Sequence, residues 1–242
     1  MIVIVLHLIF IALIFGLPFT LIQILHRRYK VGYPLLVVGG MTFSLSLFIR
    51  TALLWVLQNG PFLNSPLIGS TIIGLVISFT DIGARAFGYA RLARSTVYRP
   101  QAMLIGIGHA LPELSFVGLW VIWVVLGLAK QGAAPVDLSE VGGNAFGEMI
   151  STLAPLGLHI TLSWMVLQTF LRNEASWIFQ AILWCAMVIG TEELLVRGST
   201  QPEILTGLWW GLVTVINLVI FWRIKPPFVW ETPSEDQGST VT

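Results

Sequence analysis

Seven long apolar stretches constrain this chain more than any other feature of its sequence. Each has about 20 residues or more, the length of helix that crosses the hydrocarbon core of a bilayer. Hydrophobic residues make up 56% of the 242 residues and charged residues only 10%, which is typical of an integral membrane protein. We therefore predict an all-α, polytopic transmembrane helical bundle of about seven spans. The predicted spans are 2–25, 33–57, 66–90, 102–128, 145–171, 177–196 and 204–223.

The chain is expected to form a single integral membrane domain over 1–230, followed by a disordered cytoplasmic tail at 231–242. The segment Gly132–Gly143 is rich in glycine and is predicted to be a loop. The first apolar run has no basic segment before it and is interpreted as a retained span. Cys185 is the single cysteine, so no disulfide can form within the chain.

Lysine and arginine residues lie mostly in one set of loops. That set holds Arg27, Arg28, Lys30, Arg91, Arg94, Arg99, Arg172, Arg223 and Lys225. The other loops hold only Lys130 and Arg197. The positive-inside rule then predicts an outer amino terminus and a cytoplasmic carboxyl terminus. The sequence has no basic block and no large polar domain, so we do not expect it to bind nucleic acid.

The fourth span contains two ionisable residues, His109 and Glu113, one helical turn apart. Polar groups in hydrocarbon are costly, so such a pair usually faces the protein interior and serves a function. Gly106 and Gly108 would allow a neighbouring helix or a substrate backbone to approach closely, and Pro112 is expected to kink the helix locally.

Three other spans carry polar residues at a similar depth. A rise of 1.5 Å per residue places Asp81, His109, Glu113, His159 and Cys185 roughly 12–20 Å from the cytoplasmic side. Arg85 lies one turn after Asp81 and is expected to pair with it. Arg50 is expected in the outer half of the bundle, as a structural or substrate-orienting group.

These residues could support hydrolysis in two ways. His109, Glu113 and His159, and Cys185 as a further candidate, would hold a catalytic zinc ion, with Asp81 as the general base. Without a metal, a carboxylate would activate water and the histidines would stabilise an oxyanion. Structural roles are an alternative for each residue, since buried histidines and ion pairs also join helices.

Several short motifs resemble those of the YhfC family of intramembrane metalloproteases, within the wider group of CAAX and bacteriocin-processing proteases. Residues 108–113 (GHALPE) are similar to its Gly-His-Gly-x-x-Glu motif, and residues 81–85 (DIGAR) to its Glu-Glu-x-x-Arg motif. Residues 40–43 with Arg50 resemble its second-span pattern, and residues 158–163 (LHITLS) its histidine-bearing span.

The resemblance implies a metal-dependent protease that cleaves membrane-embedded peptides or proteins in a bacterial or archaeal cell membrane. It assigns Asp81, Arg85 and Glu113 to catalysis and the histidines to the metal. The chain departs from the family at Ala110, and at Ile82, Cys185 and Ile189, where the family has an acid, a histidine and an acid.

These departures keep two alternatives open: a catalytically inactive pseudoprotease that binds a membrane partner, and a small transporter with a polar relay. One further pattern, Glu192-Glu193 with Arg197, copies the signature of the wider protease group. It follows the histidine motifs instead of preceding them, and we interpret it as a solvated helix end.

Overall fold

The computed structural model describes residues 2–58, 60–131 and 138–226 and contains seven long helices in this part of the chain. They are α1 (Ile2–Tyr29), α2 (Pro34–Leu57), α3 (Pro66–Phe87), α4 (Arg99–Gln131), α5 (Leu138–Arg172), α6 (Ser176–Gly198) and α7 (Pro202–Arg223). All seven are long and apolar enough to cross a membrane. The predicted all-α bundle of seven spans is confirmed.

Local sequence signals set most helix ends. Proline occupies the first turn of α2, α3 and α7, where its missing N–H would have no intrahelical acceptor. Lys30 and Asn173 adopt left-handed backbone conformations just after α1 and α5, with φ of 55° and 53°. Such a residue ends a helix by turning the chain away from its axis.

The predicted loop at Gly132–Gly143 is wrong over its second half, because α5 already begins at Leu138. Residues 132–137 lie outside the described residues, as does the predicted tail. Glycine costs a helix only about 1 kcal/mol relative to alanine, so Gly142 and Gly143 do not prevent a long helix from extending through them.

Helix α4 occupies the centre of one half of the bundle, where it packs against α1, α2 and α5. In the other half α3 packs against α6, and α5 against α7. Large apolar side chains cover the outside, among them Phe48 (78% exposed) and Trp222 (73% exposed), as expected of a surface in lipid. Between α2, α3, α4 and α5 the interior is polar.

Candidate functional site

Two glycines of α4 bring the walls of the polar interior together. A methyl group added to Gly108 would collide with the backbone of Leu36 in α2. One added to Gly106 would lie 2.7 Å from the Cα atom of Ile160 in α5. The close approach of another helix, expected from these glycines, is confirmed on both sides of α4. The next residue, His109, is thereby enclosed between its neighbours and has no exposed surface.

The ring of His109 is held in one orientation by Thr42 of α2. Its Nδ1 atom lies 3.0 Å from the Thr42 hydroxyl oxygen, and that hydroxyl donates its only proton to the Gly39 carbonyl at 2.7 Å. Thr42 must therefore accept a hydrogen bond from Nδ1–H. In a neutral imidazole the other nitrogen, Nε2, then carries a lone pair. Nε2 is buried and has no hydrogen-bond partner among the described residues.

The unpartnered Nε2 atom of His109 lies 3.5 Å from the Oδ2 atom of Asp81. Asp81 is 2% exposed, and Ser46 donates a hydrogen bond to its Oδ1 atom. Arg85 lies 3.6 Å from Oδ2, so the predicted pair within α3 is confirmed. Arg50 lies 3.7 Å from Oδ1. One carboxylate thus lies between two guanidinium groups and one imidazole.

His159 of α5 joins this group to Glu113. Arg85 has only donors, so its Nη2 atom, 2.5 Å from Nδ1 of His159, donates to that ring nitrogen. The Nε2 atom of His159 then carries the proton and donates to Glu113 Oε2 at 3.3 Å. Asp81, Arg85, His109, Glu113 and His159 therefore form one connected polar cluster within the bundle.

Three members of the polar cluster lie close enough together to hold a metal ion. One ligand atom each from Asp81, His109 and His159 fits within 4.8 Å of the others. Two ligands of a tetrahedral zinc ion are about 3.4 Å apart, given metal–ligand distances near 2.0–2.1 Å. The 3.5 Å between Asp81 Oδ2 and His109 Nε2 matches that spacing. A metal-binding histidine also typically donates its other N–H to a fixed acceptor, as His109 does to Thr42.

The grouping differs from the predicted ligand set, because Asp81 takes the place proposed for Glu113. Glu113 contacts His159, and its side chain is 48% exposed. Cys185 is buried in the apolar core of the α6 side and is not in the three-residue group. Ile82 is fully buried in the same core, and Ile189 packs against it.

Three residues of α2 contact the polar cluster, and these contacts were not predicted from the sequence. Thr42, Ser46 and Arg50 follow one another at intervals of four residues, and so lie on one helix face. Arg50 was expected in the outer half as a structural or substrate-orienting group, and it lies 3.7 Å from Asp81 Oδ1. The four-residue spacing was the signal that could have identified all three.

The acidic pattern at the end of α6 has its own partners. Glu192 accepts a hydrogen bond from the indole of Trp210 at 2.8 Å. Glu193 pairs with Arg197 at 3.2 Å, and both side chains are 34% exposed. The interpretation as a solvated helix end suits Glu193 and Arg197, whereas Glu192 is half-buried against α7.

A cavity of about 120 Å³ adjoins the polar cluster between α4 and α5. Glu113 and His159 line it together with Ser151, Thr152 and Pro155. These α5 residues lie between His159 and the α4–α5 connection, away from the basic end at Arg172. We expected a cavity open to the basic, cytoplasmic half, and the structure places this one toward the opposite half.

Comparisons with family models, with curated proteins and with solved structures give no match. Fold and site together define a helical membrane protein with a buried polar cluster that can accommodate a metal ion.

Proposed function

We propose that this protein is an intramembrane hydrolase of the peptidase type, with a zinc ion held by Asp81, His109 and His159. To bind the ion, the Nδ1 atom of His159 exchanges its hydrogen bond from Arg85 for the metal. The observation that carries the proposal is the buried Nε2 atom of His109, which has no hydrogen-bond partner among the described residues and lies 3.5 Å from a carboxylate oxygen of Asp81. In a neutral imidazole this nitrogen carries a lone pair. Two facing acceptors repel each other unless a proton or a cation lies between them. A zinc ion bound there would polarise a substrate carbonyl and activate water.

Glu113 is better placed than Asp81 to act as the general base. Both carboxyl oxygens of Asp81 face cations or a hydroxyl donor, and the side chain is buried. Glu113 faces the cavity, and His159 donates to one of its oxygens. Its carboxylate can take a proton from water as the water oxygen bonds to the carbonyl carbon. It can then release that proton to the leaving amine nitrogen as the C–N bond breaks.

The substrate class follows from the location of the polar cluster and from the sequence resemblance. Glu113 lies near the middle of the apolar part of α4, so a substrate must be reached within the bilayer. The resemblance of several motifs to those of the YhfC family favours a peptide bond as the bond cleaved. A membrane-embedded peptide or protein is therefore the proposed substrate.

Metal content tests the proposal before any substrate is known. The detergent-purified protein should contain close to one zinc ion per chain, and the His109→Ala, His159→Ala double variant should contain almost none. His26→Ala is the matched control, because His26, in the last turn of α1, stacks on Tyr33 just before α2 and has no contact with the polar cluster among those described. Equal zinc in all three proteins, or none in the wild type, would contradict the metal site.

One observation favours a second candidate, a pseudoprotease that binds a membrane partner. Arg85 and Arg50 both face Asp81, and Glu113 supplies a second carboxylate to the same group, so two cations and two anions balance within the chain. In this case the polar cluster would be a structural junction between helices. A wild-type protein without zinc that co-purifies with a defined membrane partner, unaffected by His109→Ala, would support this candidate.

A further inference from the structure

The cavity between α4 and α5 lies inside the bundle, and four of its nine lining residues are polar. We propose that it is a hydrated chamber, which holds water against Glu113 and admits small hydrogen-bonding groups from the side of the α4–α5 connection. The inference deepens the proposed function, on which it rests for its purpose, because peptide hydrolysis needs water where hydrocarbon excludes it.

The first argument is the exposure of Glu113. Its side chain is 48% exposed, although the residue lies midway along a membrane-spanning helix. A charged side chain facing lipid at that depth costs at least about 2.5–3.5 kcal/mol. Glu113 lines the cavity, and water in the cavity would reduce this cost.

The second argument is a carbonyl group that lacks its helical donor. Pro155 lies within α5 and has no N–H, so it cannot donate to the carbonyl of Ser151 four residues earlier. Both residues line the cavity, as does the hydroxyl-bearing Thr152. An unsatisfied carbonyl in hydrocarbon costs several kcal/mol, and water in the cavity would satisfy it.

The third argument is size. One water molecule takes up about 30 Å³ in the liquid, so a cavity of about 120 Å³ holds about four. The apolar part of the wall, formed by Ala110, Leu114, Val117 and Leu156, separates this water from the rest of the core. The volume suits water and a small polar group, whereas a large side chain would not fit.

Cysteine accessibility tests the chamber directly, because the chain has only one cysteine to remove. In a Cys185→Ala background, Ser151→Cys is compared with Thr71→Cys for reaction with a cationic trimethylammonium-ethyl methanethiosulfonate. Ser151 and Thr71 lie four and five residues inside the apolar parts of α5 and α3, so their depths match. Both hydroxyls also donate to a carbonyl of their own helix. The two positions differ in their surroundings, because Ser151 lines the cavity and Thr71 lies on the exposed surface of the bundle.

We expect Ser151→Cys to react at least about tenfold faster, because a permanent cation does not enter hydrocarbon. A second probe, Ala110→Cys, tests the inner end of the cavity. Thr152→Phe should slow its reaction, whereas Leu119→Phe, on the exposed face of α4, should not.

Equal rates at Ser151→Cys and Thr71→Cys, or no effect of Thr152→Phe, would overturn the inference. A variant that fails to fold is identified by its elution profile in detergent, and Ser151→Cys with Ala110→Cys gives two independent positions. The labelling needs neither zinc nor a substrate. If the labelling shows a hydrated chamber but the protein binds no zinc, the proposed zinc hydrolase is refuted and the chamber is supported. If the protein binds zinc but the labelling shows a dry cavity, the chamber is refuted and the zinc site is supported.

Discussion

The Nδ1 atom of His159 accepts a hydrogen bond from Arg85 Nη2 at 2.5 Å, which fixes the tautomer of the imidazole. The proton is then on Nε2, where it bonds Glu113. Arg85 thus orients two groups at once, since it also lies 3.6 Å from Asp81 Oδ2. As the most deeply buried cation of the polar cluster, it balances the charge of Asp81 when no metal is bound.

Replacing Arg85 should therefore have opposite effects on stability and on metal binding. Arg85→Met removes a buried guanidinium and leaves Asp81 with one cation, Arg50, so the protein should lose about 3–5 kcal/mol of stability. Zinc should bind the variant more tightly and restore part of that loss, because one competing cation is gone. Unfolding in detergent with and without zinc measures both. Unfolding that zinc leaves unchanged would contradict the metal site.

Asp81→Asn should destabilise the fold by a similar amount, because Arg50 and Arg85 lose their shared carboxylate. The Asp81→Asn, Arg85→Met double variant should be less destabilised than the sum of the two single variants. Glu193→Gln is the control: it breaks a partly exposed pair with Arg197 and should cost at most about 1 kcal/mol. Additive losses would mean that Asp81 and Arg85 do not interact.

Thr42→Val should weaken zinc binding about 10–100-fold, because it removes the acceptor that holds the Nδ1–H group of His109. Valine keeps the shape of threonine, so packing between α2 and α4 should persist. Thr71→Val, on the exposed side of α3, is expected to leave zinc affinity unchanged. Competition with a metal-binding dye gives both values, and equal affinities would remove Thr42 from the site.

Gly108→Ala should separate α2 from α4 and disrupt the polar cluster, because the added methyl group would overlap the Leu36 backbone. We expect a loss of at least about 1–3 kcal/mol, typical of overpacking in a tight interior. Gly83→Ala serves as the control, since its added methyl group would meet no described side chain or neighbouring helix within 4 Å. A normal melting temperature in Gly108→Ala would show that the two helices can move apart at little cost.

Glu113→Gln should keep the zinc content and reduce hydrolysis of a cleavable membrane peptide about 10²–10⁴-fold, the usual contribution of a general base. Asp81→Asn, by contrast, should reduce the zinc content as well. Zinc loss in Glu113→Gln would assign Glu113 to the metal, as the sequence first suggested, and not to proton transfer.

The sequence by itself determined the seven spans, because bilayer thickness fixes the length of an apolar helix whatever it packs against. It also determined the Asp81–Arg85 pair and the shared face of His109 and Glu113, since helical periodicity is local. Depth along each helix followed from the rise per residue, and it placed Asp81, His109, Glu113, His159 and Cys185 at a similar level. The start of α5 was missed, because glycine is only a weak signal against a long helix.

Only the tertiary structure decided which of these residues meet. The depth of a residue gives no information on the rotation of its helix or on the helices beside it. Cys185 and Asp81 lie at a similar depth, but Cys185 is in the apolar core and Asp81 is beside His109. Asp81, and not Glu113, lies in one group with His109 and His159, close to where α2 and α5 approach the two glycines of α4. Long side chains add to this, because Arg50 and Arg85 reach partners several ångströms from their own backbone. Contacts between helices depend on packing in three dimensions, and no local pattern encodes them.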